Sequence, residues 1–172
     1  MGVFNLDLFL RAEKLEERVS TRAIQYLRQK RIPFEVIRYD HAEKGAKFAA
    51  NATGYPLAAT VKTLVVDLGA KHYSLVLMPG DKHLSMKLLA KACGVKRAAM
   101  VDIPTAERIT GYLVGGISPF GIKKNIPVVM DESVLKFDKI LINAGQRGAM
   151  LLIDPADIRK TLACKAAKVA AS

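Results

Sequence analysis

Two apolar segments separated by a short turn sequence dominate the middle of the chain. Residues 61–68 read VKTLVVDL and residues 73–78 read YSLVLM, with Gly69-Ala70-Lys71 between them. Aliphatic and β-branched runs of this length, joined by a glycine-containing turn, are typical of a β-hairpin. The fold therefore has to contain a β-sheet built around residues 61–78.

Helical patterns lie on both sides of this hairpin. In residues 21–31, Ala23, Ile24 and Leu27 form one apolar face opposite Arg and Lys side chains, and Pro33 ends the helix. Further helices are predicted over residues 46–53, 85–93 and 104–110 and from Asp154-Pro155 onwards, and further strands over residues 34–39, 98–101, 128–130, 140–142 and 149–153. Because strands and helices intermingle without a regular βαβ order, we predict a mixed α+β fold rather than a doubly wound parallel sheet.

The charge of the chain is unevenly distributed. The 172 residues contain 27 Lys+Arg and 16 Asp+Glu, a net charge of +11, but residues 1–20 hold three basic and four acidic side chains. We predict a helical leader over residues 1–20 and a single basic domain over residues 21–172. A net positive charge of this size points to a polyanionic partner, with nucleic acid as the first candidate.

The sequence argues against several classes of protein. No apolar run approaches the roughly 18 residues of a membrane-spanning helix, so we expect no membrane association. The N-terminus lacks the pattern of a secretory signal, and we expect a cytoplasmic protein. Cys93 and Cys164 are far apart, and His41, His72 and His83 are dispersed, so no metal site is expected. Without a glycine-rich nucleotide motif either, no cofactor is expected.

Lys62 interrupts the apolar pattern of the first hairpin strand. Alternation along a strand puts Lys62 on the face of Leu64 and Val66, whereas Val61 and Thr63 share the other face. Because both faces are largely apolar, the lysine is paired, reaches the rim of the sheet, or serves a ligand. A strand-end lysine in water and a functional lysine remain equal alternatives at this point.

A glycine-rich segment at residues 111–124 reads GYLVGGISPFGIKK. Gly115 and Gly116 allow the backbone to approach a ligand closely, and such a loop can direct N–H groups at a carbonyl oxygen or a phosphate. Lys123 and Lys124 follow directly. The alternative is an ordinary surface loop with two solvated lysines.

A basic segment covers residues 82–97, which contain five lysine or arginine residues and no acidic one. Lys87 and Lys91 are one helical turn apart, opposite the apolar face. A solvated helix face is the usual explanation, but the absence of acidic residues favours a surface that binds phosphates. No Ser-His-Asp arrangement and no carboxylate pair can be assembled, so the chain is either a binding protein or an enzyme whose substrate supplies the reactive group.

Three segments resemble the YbaK family of aminoacyl-tRNA deacylases and the related editing domain of bacterial prolyl-tRNA synthetases. They are VKTLVV at 61–66, TGYLVGGISPFGIKKNIPVVMD at 110–131 and AGQRGAMLLIDPADI at 144–158, and the similarity extends from about residue 21 to residue 162. The resemblance implies a mixed, partly barrel-like β-sheet flanked by helices. It also implies hydrolysis of the ester that joins a wrong amino acid to tRNA, a correction needed because apolar pockets discriminate poorly between small side chains.

The resemblance also assigns roles to individual residues. Lys62 is expected to hold the 3′ end of the tRNA, and the backbone of Gly115 and Gly116 to polarise the ester carbonyl. In cysteine-specific members the thiol of the substrate attacks that carbonyl, which explains the missing nucleophile. Substrate contacts are expected from Tyr39, Phe48, Thr63, Ile117, Ser118, Pro119, Asn143 and Gly145, and tRNA phosphate contacts from Lys87, Lys91, Lys123 and Lys124.

Two positions depart from the pattern of cysteine-specific members. Asn143 stands where these members often have Ser, and Met150 where they often have Asp. We therefore predict an editing hydrolase acting on Cys-tRNA(Pro), with two alternatives: a deacylase for alanine or serine, and a non-catalytic tRNA-binding or regulatory module of the same fold. The expected partners are the aminoacylated 3′ end of tRNA and prolyl-tRNA synthetase, and the expected state is a monomer or a weak dimer.

Overall fold

The computed structural model describes residues 19–172, so residues 1–18 of the leader predicted over residues 1–20 lie outside the described part of the chain. Helices in this part are short and lie close to the predicted positions. They are α1 (Arg22–Gln29), α2 (Ala46–Thr53), α3 (Met86–Cys93), α4 (Ile103–Thr110) and α5 (Pro155–Thr161), with 3₁₀ turns at Leu57–Ala59 and Glu132–Lys136. Within residues 19–172, none of the helices has the length and apolarity needed to cross a membrane.

The strands form one mixed sheet. They are β1 (Glu35–Arg38), β2 (Thr60–Asp67), β3 (Tyr73–Pro79), β4 (Ala99–Met100), β5 (Val128–Asp131), β6 (Ile140–Asn143), β7 (Ala149–Ile153) and β8 (Lys165–Ala167). The order across the sheet is β1-β7-β6-β2-β3-β5-β8, and β4 pairs with β2. The β2–β6, β3–β5 and β5–β8 pairs are parallel and the remaining pairs are antiparallel. The predicted mixed α+β architecture is confirmed.

The predicted hairpin forms the centre of this sheet. β2 and β3 pair along their whole length, from Val61 opposite Pro79 to Asp67 opposite Tyr73. Successive residues of β2 face two different cores: Val65 belongs to the cluster that includes Ile24 of α1, whereas Val66 belongs to the cluster that includes Leu89 of α3. Helices on both faces explain why the hairpin is apolar on both faces.

Caps define the ends of two of these helices. The Ser85 hydroxyl accepts a hydrogen bond from the backbone of α3, and Gly94 ends this helix in the left-handed conformation with φ +66°. Asp154 caps α5 in front of Pro155. Strand β8 was not predicted, because three residues of sequence KAA carry no strand signal and pair only through their contact with β5.

Candidate functional site

A cavity opens where one edge of β2 lacks a neighbouring strand. On the side opposite β3, this strand pairs with β6 at Thr60 and Val61 and with β4 at Val66 and Asp67. The edge between these two pairings borders a cavity of about 310 Å³. Its lining residues are Tyr39, Lys44, Gly45, Ala46, Ala49, Val61, Lys62, Thr63, Leu64, Val114, Gly115, Ile117, Asn143 and Met150.

The cavity brings together residues that are far apart in the sequence. Tyr39 follows β1, Lys62 and Thr63 belong to β2, Gly115 and Ile117 to the glycine-rich loop, and Asn143 ends β6. All six were singled out in the sequence as site residues, and all six line the cavity. The ionisable side chains of the lining are the phenol of Tyr39 and the amines of Lys44 and Lys62, so the lining itself provides no carboxylate, imidazole or thiol.

Lys62 is half-buried, and its ammonium group is held in place. Its Nζ donates a hydrogen bond of 2.6 Å to the backbone carbonyl of Lys82, in the turn after β3. Burial lowers the pKa of the Lys62 ammonium below the ordinary lysine value, and the carboxylate of Asp81 offsets part of this effect. The amine is not freely solvated, and no carboxylate among residues 19–172 forms an ion pair with it, which suits a group that binds an anionic or carbonyl oxygen.

Thr63 contributes an unsatisfied polar group. Its side chain is only 9% exposed, and its Oγ1 has no hydrogen-bond partner among residues 19–172. The backbone N–H of Val101 donates to the carbonyl of Val65, so strand alternation directs the peptide groups of Thr63 to the same open edge. A buried hydroxyl without a partner is costly, and here it lines a cavity that a ligand can enter.

The glycine-rich loop approaches the cavity through Gly115, whose φ is +96°. A side chain at Gly115 would place its Cβ 3.0 Å from Nε of Arg147, and one at Gly116 would lie 3.0 Å from the backbone N of the same arginine. The N–H of Gly116 donates to the carbonyl of Leu113. This N–H is therefore engaged in a turn. The loop residues that line the cavity are Val114, Gly115 and Ile117.

The loop is tied down from two sides. Arg147 donates from Nε (3.0 Å) and Nη2 (2.7 Å) to the carbonyl of Val114, and the N–H of Val114 donates to a carboxylate oxygen of Glu107 at 3.0 Å. Sequence analysis identified neither Arg147 nor Glu107, nor Lys44 in the lining. The sequence Gly-Gln-Arg-Gly at 145–148 could have indicated a tight turn that fixes the position of Arg147, since glycines favour such turns. In the structure both glycines have positive φ.

The other predicted substrate contacts lie behind the lining. Phe48 packs against Tyr39, with ring centroids 6.3 Å apart. Ser118 and Pro119 are buried within the loop, and a side chain at Gly145 would collide with the ring of Tyr112. None of these four residues belongs to the lining of the cavity, and the exposed Lys87, Lys91, Lys123 and Lys124 lie on the surface.

Comparison with known proteins identifies the family of this chain. A family model described as aminoacyl-tRNA editing domain matches residues 41–161. The chain is 32% identical over 145 residues to a candidate Cys-tRNA(Pro)/Cys-tRNA(Cys) deacylase of Enterococcus faecalis, covering 83% of this chain and 88% of that protein. It is 26% identical over 140 residues to a multifunctional Ser/Thr-tRNA deacylase of Escherichia coli, covering 79% and 83%.

A similar fold occurs in a solved structure of a candidate trans-editing enzyme for prolyl-tRNA synthetase. The TM-score is 0.79 at 22% identity, and the match covers 90% of this chain and 99% of that one.

Proposed function

Because the chain belongs to the aminoacyl-tRNA editing domain family, we propose that it hydrolyses the ester of mischarged aminoacyl-tRNA, with Cys-tRNA(Pro) as the preferred substrate. One observation carries the proposal: Lys62 and the Gly115 loop line a single cavity whose lining has no carboxylate, imidazole or thiol. Such a site suits a reaction in which the substrate supplies the attacking group.

The residues of the cavity then act by positioning and by polarisation. Lys62 binds a phosphate or ester oxygen at the 3′ end, because its ammonium is held at the rim by the carbonyl of Lys82. Backbone N–H groups of Gly115 and Ile117 stabilise negative charge on the carbonyl oxygen. The hydroxyl of Thr63 gains in the substrate the hydrogen-bond partner that it otherwise lacks.

With a cysteinyl ester, the substrate thiol attacks the ester carbonyl. A carbon–sulfur bond forms, the bond to the ribose oxygen breaks, and the thiol proton passes to that oxygen. The product is a cyclic thioester of cysteine, which water then hydrolyses to free cysteine. Alignment of the thiol and carbonyl provides the acceleration that a catalytic triad provides elsewhere.

Removal of alanine or serine is the second candidate, and a specific observation favours it. Met150 is only 2% exposed and packs with Ala49 and Leu141, so the inner wall of the cavity is apolar where cysteine-specific members often carry a carboxylate. For these amino acids a water molecule has to attack the carbonyl. The E. coli relative is named for serine and threonine esters.

We further propose that the body of the tRNA binds to exposed lysines around the cavity. Lys87 and Lys91 line a surface groove together with Lys96 and Arg97, and no acidic residue lines this groove. Lys123 and Lys124 follow the glycine-rich loop and are exposed. Prolyl-tRNA synthetase is the proposed protein partner, with the chain acting as a monomer or a weak dimer.

A deacylation panel tests the function. The protein is incubated with Cys-, Ala-, Ser- and Pro-tRNA(Pro), and loss of each ester is compared with the loss in buffer alone. We expect Cys-tRNA(Pro) to be hydrolysed fastest, and Lys62→Ala to abolish turnover with an unchanged circular dichroism spectrum. The matched control is Lys71→Ala, in the exposed turn between β2 and β3. Binding of tRNA without hydrolysis of any ester would show that the protein is a non-catalytic tRNA-binding or regulatory module.

A further inference from the structure

A second, shallower cleft adjoins the cavity at Tyr39, which lines both. It has a volume of about 510 Å³ and lies between the end of β1 and the turn that joins β6 to β7. Its polar lining comes from Arg38, Asp40, His41, Gln146 and Arg147. The two chain segments are held together by the pairing of β1 with β7 and by a hydrogen bond from the N–H of Tyr39 to the carbonyl of Gly148.

We propose that this cleft binds the phosphodiester groups of the nucleotides that precede the terminal adenosine. The proposal rests on the proposed function, because an ester bound in the cavity has its RNA chain emerging at the cavity mouth. Since Tyr39 lines both, the cleft adjoins the cavity on this side and offers a surface to the emerging chain. Neither the sequence patterns nor the expected tRNA contacts had pointed to it.

The charge and the geometry of the cleft suit a phosphodiester. Two guanidinium groups, from Arg38 and Arg147, stand against the single carboxylate of Asp40, and Lys44 adds a positive charge in the adjoining cavity. Arginine matches the oxygen geometry of phosphate better than any other side chain. Arg147 is preorganised, because Nε and Nη2 bind the carbonyl of Val114, and its Nη1 still carries N–H donors for a ligand.

The same cleft contains groups that suit a ribose. The carboxylate of Asp40 and the amide of Gln146 accept hydrogen bonds, and both residues are exposed. The 2′-hydroxyl is the group by which a protein distinguishes RNA from DNA. A site intended only for anions would gain nothing from Asp40, so its presence favours RNA over a free phosphate or an acidic peptide.

Arg147 connects the cleft to the cavity. It lines the cleft, and it also holds the carbonyl of Val114, the residue directly before Gly115. An RNA chain in the cleft therefore contacts the same side chain that fixes the glycine-rich loop. Recognition of the nucleotides would in this way reinforce the loop conformation used at the ester.

The experiment compares two substrates that carry the same aminoacyl ester. One is the ester of adenosine, which has no phosphodiester, and the other is the ester of an RNA trinucleotide ending in adenosine. We expect a lower KM for the trinucleotide, and Arg38→Gln should reduce the ratio of the two kcat/KM values about fivefold. The matched control is Lys71→Gln, which removes one exposed positive charge at the β2–β3 turn and should leave the ratio unchanged.

A direct binding measurement separates this proposal from the proposed function. Anisotropy of the labelled, unesterified trinucleotide should report weaker binding to Arg38→Gln than to the natural protein. The slope of log affinity against log salt should also become shallower by about 0.7 for each lost phosphate contact. Binding that depends on Arg38 without any ester cleavage would support the cleft and refute the hydrolase. Equal kcat/KM for the two substrates, or binding insensitive to Arg38→Gln, would overturn the cleft.

Discussion

Asn143 of β6 and Met150 of β7 are direct cross-strand partners, and both residues line the cavity. In the sequence they look like two separate departures from the pattern of cysteine-specific deacylases. In the structure they form one local feature of the inner wall, because the turn between β6 and β7 folds them against each other. We therefore expect the selectivity of the site to depend on the pair rather than on either residue alone.

Exchanging Met150 should change the preference between serine and alanine esters. Met150→Gln keeps the length of the side chain and adds hydrogen-bonding groups to an apolar wall, so the ratio of Ser- to Ala-tRNA hydrolysis should rise about fivefold. The measurement is the ratio of kcat/KM values on the two esters. Met150→Leu is the control, because it keeps the wall apolar and should leave the ratio unchanged; an equal shift with Leu would assign the effect to packing.

Thr63→Val should stabilise the fold and weaken substrate binding. The change removes a buried hydroxyl without a partner, so the free energy of unfolding should rise by about 1 kcal/mol, whereas KM should rise about fivefold. Thr60→Val is matched to it in the same strand, but its hydroxyl donates to the carbonyl of Pro56 at 3.0 Å, so this change should destabilise. Urea unfolding and initial rates measure the two effects. A loss of stability in both variants would mean that Thr63 already has a partner.

Gly115→Ala should abolish most of the activity, whereas Gly94→Ala should retain it. Both glycines have positive φ, so either alanine introduces backbone strain of about 1–2 kcal/mol. Only at Gly115 would the new Cβ also lie 3.0 Å from Arg147, since no heavy atom lies within 4 Å of a Cβ at Gly94. Turnover and urea unfolding are measured on both variants. Equal loss of turnover would show that general destabilisation, and not the loop, is responsible.

Arg147→Lys should lower kcat more than it raises KM. Lysine lacks the planar fork that donates twice to Val114, so the loop that carries Gly115 loses its fixed position. A misplaced reaction geometry costs tenfold or more in rate. Hydrolysis of the adenosine ester isolates this effect from RNA binding, and Arg159→Lys on α5 is the conservative control. A change in KM alone would argue against Arg147 as a positioning residue.

The pH dependence should identify Lys62 as the titrating group. Because burial lowers the pKa of its ammonium, the activity that needs this charge should be lost on the alkaline side below the ordinary lysine pKa. Between the two pKa values the unfolded chain binds more protons than the folded chain, so the free energy of unfolding should rise with pH there.

Asp81→Asn removes the carboxylate that keeps the pKa of the Lys62 ammonium from falling further. The loss of activity on the alkaline side should therefore move to lower pH. Rates are corrected for hydrolysis in buffer alone at each pH. If Asp81→Asn does not shift the pH at which the rate falls on the alkaline side, Lys62 is not the titrating group. Burial raises the pKa of the Tyr39 phenol, so Tyr39 should titrate at a higher pH than Lys62 and should not cause this loss of activity.

Most of the secondary structure could be predicted because its signals are local. The hairpin at residues 61–78, the helix predicted over residues 85–93 and the helix start at Asp154-Pro155 all depend on residues that are close together in the sequence. The position of Lys62 between two apolar faces was likewise readable from alternation alone. Strand β8 was missed because its only reason to be extended is its long-range pairing with β5.

The sequence by itself thus determined most of the helices and strands, the alternation that isolates Lys62, and the glycine-rich loop that carries the family resemblance. The tertiary structure decided which strand edge stays open beside Thr63, whose hydroxyl has no partner among residues 19–172. It also decided that Arg147, 33 residues from Val114 in the sequence, holds the loop. The physical reason is that strand register and unpaired strand edges follow from packing between segments that are distant in the sequence. Local propensities carry no information about such packing.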